Sequence, residues 1–219
     1  MSAKKEEKEK IPAHPILPKS TNLKILKLTE LIDDCFYEGV LINETRLEES
    51  KAVDISFDSS LLRDFNLSGS ILKGIKLKDV MAEKMNLANA DLEEAYLDRV
   101  LFTGARLTGV KMDNCRMRDV VFKNCKLDFS FFRFSKIKNV HFDNCILNEA
   151  DFLGVELDNV TFFESDLTSV EFSQAKIKQV DIRGSKIEGI KILPEQLKGL
   201  IIDYSQTAHV VQLMGVTIK

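Results

Sequence analysis

The sequence predicts an all-β solenoid, on three observations. Apolar residues recur at every fifth position from Tyr37 to Ile192, 32 places without a polar exception. A second register two residues earlier is mostly small, as in Ala90, Ala95, Ala105 and Cys115. Like residues also recur every 20 positions, in the series Val80, Val100, Val120, Val140, Val160, Val180 and the series Phe102, Phe122, Phe142, Phe162. A period of five fits neither a helix nor a simple strand. It fits a short extended segment followed by a corner, because residues i−2 and i share one face of an extended chain. The Gly, Asn and Asp that crowd the last place of each pentad suit that corner. The 20-residue period assigns four pentads to a coil, so the 32 pentads make about eight coils. At about 4.8 Å per coil the rod is on the order of 40 Å long.

The ends of such a rod must be capped, since each exposes unpaired strand edges and the apolar bore. Residues 1–32 read as an N-terminal unit: a charged tail over Met1–Lys10 expected to be disordered, an extended segment Ile11–Pro18 holding three of the four prolines, and a short capping element. Leu23, Leu26, Leu31 and Ile32 give that cap a helical stripe. Residues 33–194 are the repeat. Residues 195–219 read as a C-terminal cap and dimerisation module. There Asp203 and Gln206 make a capping-box-like start, a helix runs to Met214, Gly215 takes the C-cap place, and Val216–Ile218 form a short strand.

Composition narrows function. The 219 residues carry 31 basic and 34 acidic side chains, net −3, too even for an obligate nucleic-acid binder. No apolar run nears the roughly 20 residues of a membrane span, and the charged start lacks the apolar core of a secretory signal, so a cytoplasmic location is expected. The four cysteines form no C-x-x-C pair. Cys125 and Cys145 are one coil apart and stack inside, filling small inward places as Ala and Ser do elsewhere. Phosphate-loop, zinc-protease and nucleophile-elbow motifs are absent, and His14, His141 and His209 lie on different elements. No catalytic residue, cofactor or metal site is assigned. The acids at outward places read as a solvating skin.

The pattern of small, polar, Leu or Phe and two further residues, as in Ala90-Asp91-Leu92-Glu93-Glu94 and Ala150-Asp151-Phe152-Leu153-Gly154, resembles the pentapeptide-repeat proteins. The resemblance implies a right-handed quadrilateral β-helix with a C-terminal α-helix and short strand. The tail is also similar to the dimerising tail of many bacterial members. It implies a homodimer through Val210, Val211, Leu213, Met214, Val216 and Ile218. Some members are gyrase-protecting rods that imitate DNA and are linked to fluoroquinolone resistance, and others serve as interaction scaffolds. Here the charge favours the scaffold. Residues 33–110 are net −6, residues 111–170 net −2 and residues 171–219 net +2, so the segment nearest the dimer centre is the least acidic. A gyrase-binding DNA mimic is the alternative.

Three outward features are candidate partner surfaces. Leu41, Leu61, Met81, Leu101 and Val121 form an apolar column. Phe129, Phe131 and Phe134 cluster around one corner, with Leu153 a coil further on. A basic stripe runs through Lys76, Lys78, Arg99, Arg116, Arg118, Lys136 and Lys138.

Overall fold

The computed structural model describes residues 11–19 and 22–217. The disordered tail expected over Met1–Lys10 and the Ile218 end of the expected strand lie outside the described residues. The strands are β1 (Lys24–Ile25), β2 (Phe36–Glu38), β3 (Val40–Asn43), β4 (Ser56–Arg63), β5 (Lys76–Glu83), β6 (Tyr96–Thr103), β7 (Arg116–Lys123), β8 (Lys136–Asp143), β9 (Glu156–Phe163), β10 (Lys176–Asp181) and β11 (Leu200–Ile201). They form a right-handed quadrilateral β-helix in which successive coils pair in parallel. Partners are 20 residues apart, as in Val100↔Val120 and Phe102↔Phe122. From β4 to β9 each strand bends around one corner and spans two walls. The other two walls meet through single bridges such as Asn86↔Arg106 and Asp91↔Lys111. Pairs at the two ends, β1 with β3 and β10 with β11, extend the eight coils to about nine turns.

The last place of every pentad from Asp34 to Gly189 has positive φ, and 24 of these 32 corners are not glycine. That region is costly for most L-residues. The ladder holds them there, because each corner N–H is drawn to the next coil, as in Lys84 N to Thr103 O at 2.8 Å and Asn89 N to Thr108 O at 2.9 Å.

Inside, like stacks on like. Phe102, Phe122, Phe142 and Phe162 form one ladder, with ring centroids 5.0, 4.9 and 4.8 Å apart and planes within 5° of parallel. Phe132, Phe152 and Phe172 form a second ladder, which meets the first edge to face at 6.0–6.3 Å. Polar atoms in the small register are satisfied locally. Ser135 Oγ accepts from Cys115 N at 2.8 Å and donates to Met112 O at 2.8 Å, and Ser165 makes the equivalent pair with Cys145 N and Phe142 O. The cysteines fit the same place: Cys115 Sγ donates to Leu92 O and Cys145 Sγ to Phe122 O, each at 3.3 Å.

The N-terminal cap corrects the helical expectation. Lys24–Ile25 is a strand paired with Val40–Leu41, and Lys24 N and Leu26 N donate to Gly39 O and Leu41 O. The bare edge of the first coil offers carbonyls that a helix could not reach. At the other end two glutamines close the last corners. Gln196 Oε1 accepts from Leu193 N while its Nε2 donates to Phe172 O and Ala175 O. Ten residues later Gln206 does the same with Asp203 N, Ile182 O and Ser185 O, and Asp203 Oδ1 accepts from Gln206 N. The helix is shorter than expected: Tyr204–Gln206 is a 3₁₀ turn and α1 is Thr207–Leu213. Gly215 (φ +79°) ends it, its N–H donating to Gln212 O at 2.9 Å. Val216 and Thr217 form no strand.

Candidate functional site: the outer walls

Outside, many rungs set opposite charges on one another. Arg63 pairs with Glu83 at 2.7 Å, Lys73 with Glu93 at 2.6 Å, Lys78 with Asp58 at 2.9 Å and Lys138 with Asp158 at 3.5 Å, all one coil apart. Part of the expected solvating skin is thus paired along the rod axis. Most of the basic stripe is engaged by acids as well. Arg99 forms a two-pronged pair with Asp79 at 2.7 and 2.6 Å, and Arg118 does so with Asp98 at 2.7 and 3.0 Å. Asp79 and Asp98 are buried. The Arg99 guanidinium holds the Asp79 carboxyl below the usual carboxylate range, against an opposing pull from burial.

The apolar column runs as one ladder, Leu41↔Leu61↔Met81↔Leu101↔Val121, and each of the five is only half-exposed. Beside it lies a segment that periodicity did not place. Ile11–Lys19 runs extended up the outside of the rod. Ile16 N donates to Asp79 Oδ1 at 2.9 Å, Ala13 N to Asp119 Oδ1 at 3.1 Å, and Asn139 Nδ2 to Ile11 O at 3.5 Å. Asp79, Asp119 and Asn139 stand two positions before Met81, Val121 and His141, so this strap follows the edge of the column. The available signal was proline at 12, 15 and 18, every third residue.

The phenylalanine cluster puts two exposed rings on neighbouring corners of one coil. Phe129 is 50% and Phe134 56% exposed, and both sit at positive-φ corners that elsewhere hold mainly Asn, Asp, Glu and Gly. Phe134 lies over Gly154, where a Cβ would come within 2.7 Å of its ring. Phe131 is capped by the Arg133 guanidinium at 4.8 Å, which also binds Asp151 at 2.7 Å. Arg133 N donates to Asp113 Oδ1, whose carboxyl burial raises. The coil that carries the three rings, residues 121–140, has Lys123, Lys126, Arg133, Lys136 and Lys138 against Asp128 alone.

At the C-terminal end Val210 and Leu213 pack on the core and Val211 is half-buried. Met214 (59%), Val216 (50%) and Tyr204 (95%) remain exposed. Among the described residues no group of His, Cys, Asp and Glu could hold a metal, and no helix is long and apolar enough to cross a membrane.

These features define a solenoid whose chemistry lies on its outer walls. A family model described as the pentapeptide repeat region matches residues 77–152 and 135–210, and the chain belongs to that family. No curated protein matches it. Among solved structures, full-length QnrB1, a plasmid-mediated fluoroquinolone resistance protein, is 15% identical, with 83% of this chain and 100% of that one covered and a TM-score of 0.45. HetL, a pentapeptide repeat protein involved in heterocyst differentiation regulation from the cyanobacterium Nostoc sp. Strain PCC 7120, is 18% identical, with 77% and 87% covered and a TM-score of 0.42. A pentapeptide repeat protein from the Arabidopsis thaliana thylakoid lumen is 21% identical, with 52% and 66% covered and a TM-score of 0.27. Likenesses at this level say nothing of this chain's activity.

Proposed function

We propose that the chain is a non-enzymatic scaffold in the cytoplasm that binds a protein partner through the Phe129–Phe131–Phe134 surface and joins a second copy through its C-terminus. The observation that carries this reading is the pair of exposed phenylalanines at corners where φ is +58° and +57°. Both rings leave about half of their surface in solvent at places that elsewhere hold mainly Asn, Asp, Glu and Gly. Exposed aromatics set beside arginine have the make-up of an interface hot spot. Arg133, Lys136 and Lys138 of the same coil are engaged by Asp151, Glu156 and Asp158, so the partner is met chiefly through the rings.

The test is positional. A photo-crosslinking residue at 134 should yield a discrete adduct in the native cell, and one at Glu188 should not. Equal labelling from both sites would count against the surface. Phe134→Asn should abolish the adduct made from position 129 while changing stability by less than about 0.5 kcal/mol. A supercoiling assay of DNA gyrase with and without ciprofloxacin separates the scaffold from a DNA imitation. The scaffold leaves both curves unchanged, because its charge runs from −6 over residues 33–110 to +2 over residues 171–219, unlike the even negative charge of a duplex.

For the second copy, Met214, Val216 and Tyr204 supply an apolar patch that a two-fold contact covers on both chains at once. Light scattering should give twice the chain mass at micromolar concentration and a single chain mass for Met214→Glu. One chain mass for the unaltered protein would exclude the dimer.

A further inference from the structure

The outer corner column that runs through Asp79, Arg99, Asp119 and Asn139 meets the strap in a fixed register. The two strap amides that donate, Ala13 and Ile16, are three residues apart, and their acceptors Asp119 and Asp79 are two coils apart. Three residues of a polyproline-type chain rise about 9.3 Å, and two coils of the rod rise about 9.6 Å. The two periods therefore match, and an extended chain with three residues per turn presents the same edge to every second coil. Prolines fall at 12, 15 and 18, one place before Ala13, Ile16 and Lys19. The residues that cannot donate are thus kept off the edge that faces the column. Pro12 is buried. The acceptors are pre-set without the strap's help: Arg99 fixes Asp79, and Asn139 donates to Asp119.

We infer that this wall is a binding site for extended proline-repeat peptides, with Pro-x-x spacing, and that Ile11–Lys19 is its resident occupant in cis. A partner's segment of the same spacing reaches the site by displacing the strap. Recognition is by backbone amides and spacing, so it tolerates different side chains at the places between the prolines. This site is separate from the phenylalanine surface, and the variants below leave that surface intact.

The experiment uses the full chain and a labelled nonapeptide of the sequence Ile11–Lys19, followed by fluorescence anisotropy. A tethered strap competes at an effective concentration in the millimolar range, so the unaltered chain should bind the peptide weakly. Ala13→Pro with Ile16→Pro removes both donors and keeps an extended backbone. That chain should bind the unaltered peptide at least tenfold more tightly. Asp119→Ala added to it should reverse the gain by about tenfold, and a peptide carrying the two prolines should bind neither chain. Equal affinity of both chains, no binding to either, or indifference to Asp119→Ala would overturn the inference. If the double variant fails to melt as a folded rod, Ile16→Pro alone serves, with the same three outcomes.

Discussion

The bore and the outer walls of this rod are built on one 20-residue register but filled by opposite rules. In the bore, identical side chains sit on one another: Phe122 is clasped between Phe102 and Phe142 at 5.0 and 4.9 Å. On the walls, opposites do: Arg63 meets Glu83, and Arg99 meets Asp79, across the same coil spacing. The difference follows from solvent. A dry stack gains apolar burial and dispersion from each ring it adds, and identical shapes interdigitate without gaps. A wet stack of like charges would repel at each rung. The bore can therefore repeat itself throughout, whereas charged rungs on the walls gain by alternating.

The comparison can be broken most severely from within. Phe122→Ala should cost about 3–5 kcal/mol in denaturant melts, as truncation of a fully buried Phe does in other cores. A loss under about 1 kcal/mol would mean the ladder relaxes into the gap. The next largest effect is at the boundary. Arg99→Ala leaves the buried Asp79 carboxylate without its two-pronged partner and should cost roughly 2–3 kcal/mol at neutral pH. Because Arg99 lowers the folded pKa of Asp79, its contribution is present above the ordinary carboxylate pKa and is lost as pH falls through the folded value. The gap between Arg99→Ala and the parent chain should close in acid. A gap that is constant down to pH 2 would assign the loss to packing instead. Smallest is the exposed rung: Glu83→Lys, facing Arg63, should cost less than about 1 kcal/mol and less still in high salt.

Thiol reactivity sharpens the same contrast. Burial pushes the Cys115 thiol up to about 12, and the hydrogen-bonding neighbour Cys125, with burial, pushes Cys145 well above the usual thiol range. The Cys145 hydrogen bond lowers the Cys125 thiol, so its protection rests on burial alone; native-state labelling of Cys115, Cys125 and Cys145 should be slow and should track unfolding. Fast modification of all three in the native state would place that register outside.

The two rules also explain what could be read from the sequence. The bore was legible because its signal lies in single positions: each inward place is apolar or small by itself, and spacing does the rest. The corners were legible as Gly, Asn and Asp, although 13 corners hold none of these and are kept in place by a ladder that no local propensity reports. The outer pairing was written in the sequence as opposite charges 20 apart. It becomes visible only when positions are compared two at a time; taken singly, the acids show only an outward skin. At the first coil, Leu23, Leu26 and Leu31 carry a helical stripe, yet the unpaired edge of β3 drew Lys24–Ile25 into a strand. The strap was legible as extended but not as docked, since its partners Asp79 and Asp119 are 63 and 106 residues away. Of the candidate surfaces, the phenylalanines stood out because Phe is foreign to a corner. The apolar column was read as more open than it is.

One pair of deletions tests the shared register most directly. Removing one whole coil, residues 101–120, leaves every stack and charge pair in register: Val121 follows Val100, and Lys138 comes to lie beside Asp98 in place of Arg118. Removing one pentad, residues 105–109, keeps the inward pattern of small and apolar residues but turns all later coils by one wall. Melting curves should show the shorter rod from the 20-residue deletion still folded and cooperative, and the five-residue deletion far less stable. Equal stability of the two, or better tolerance of the missing pentad, would contradict the four-pentad register on which both the bore and the outer walls depend.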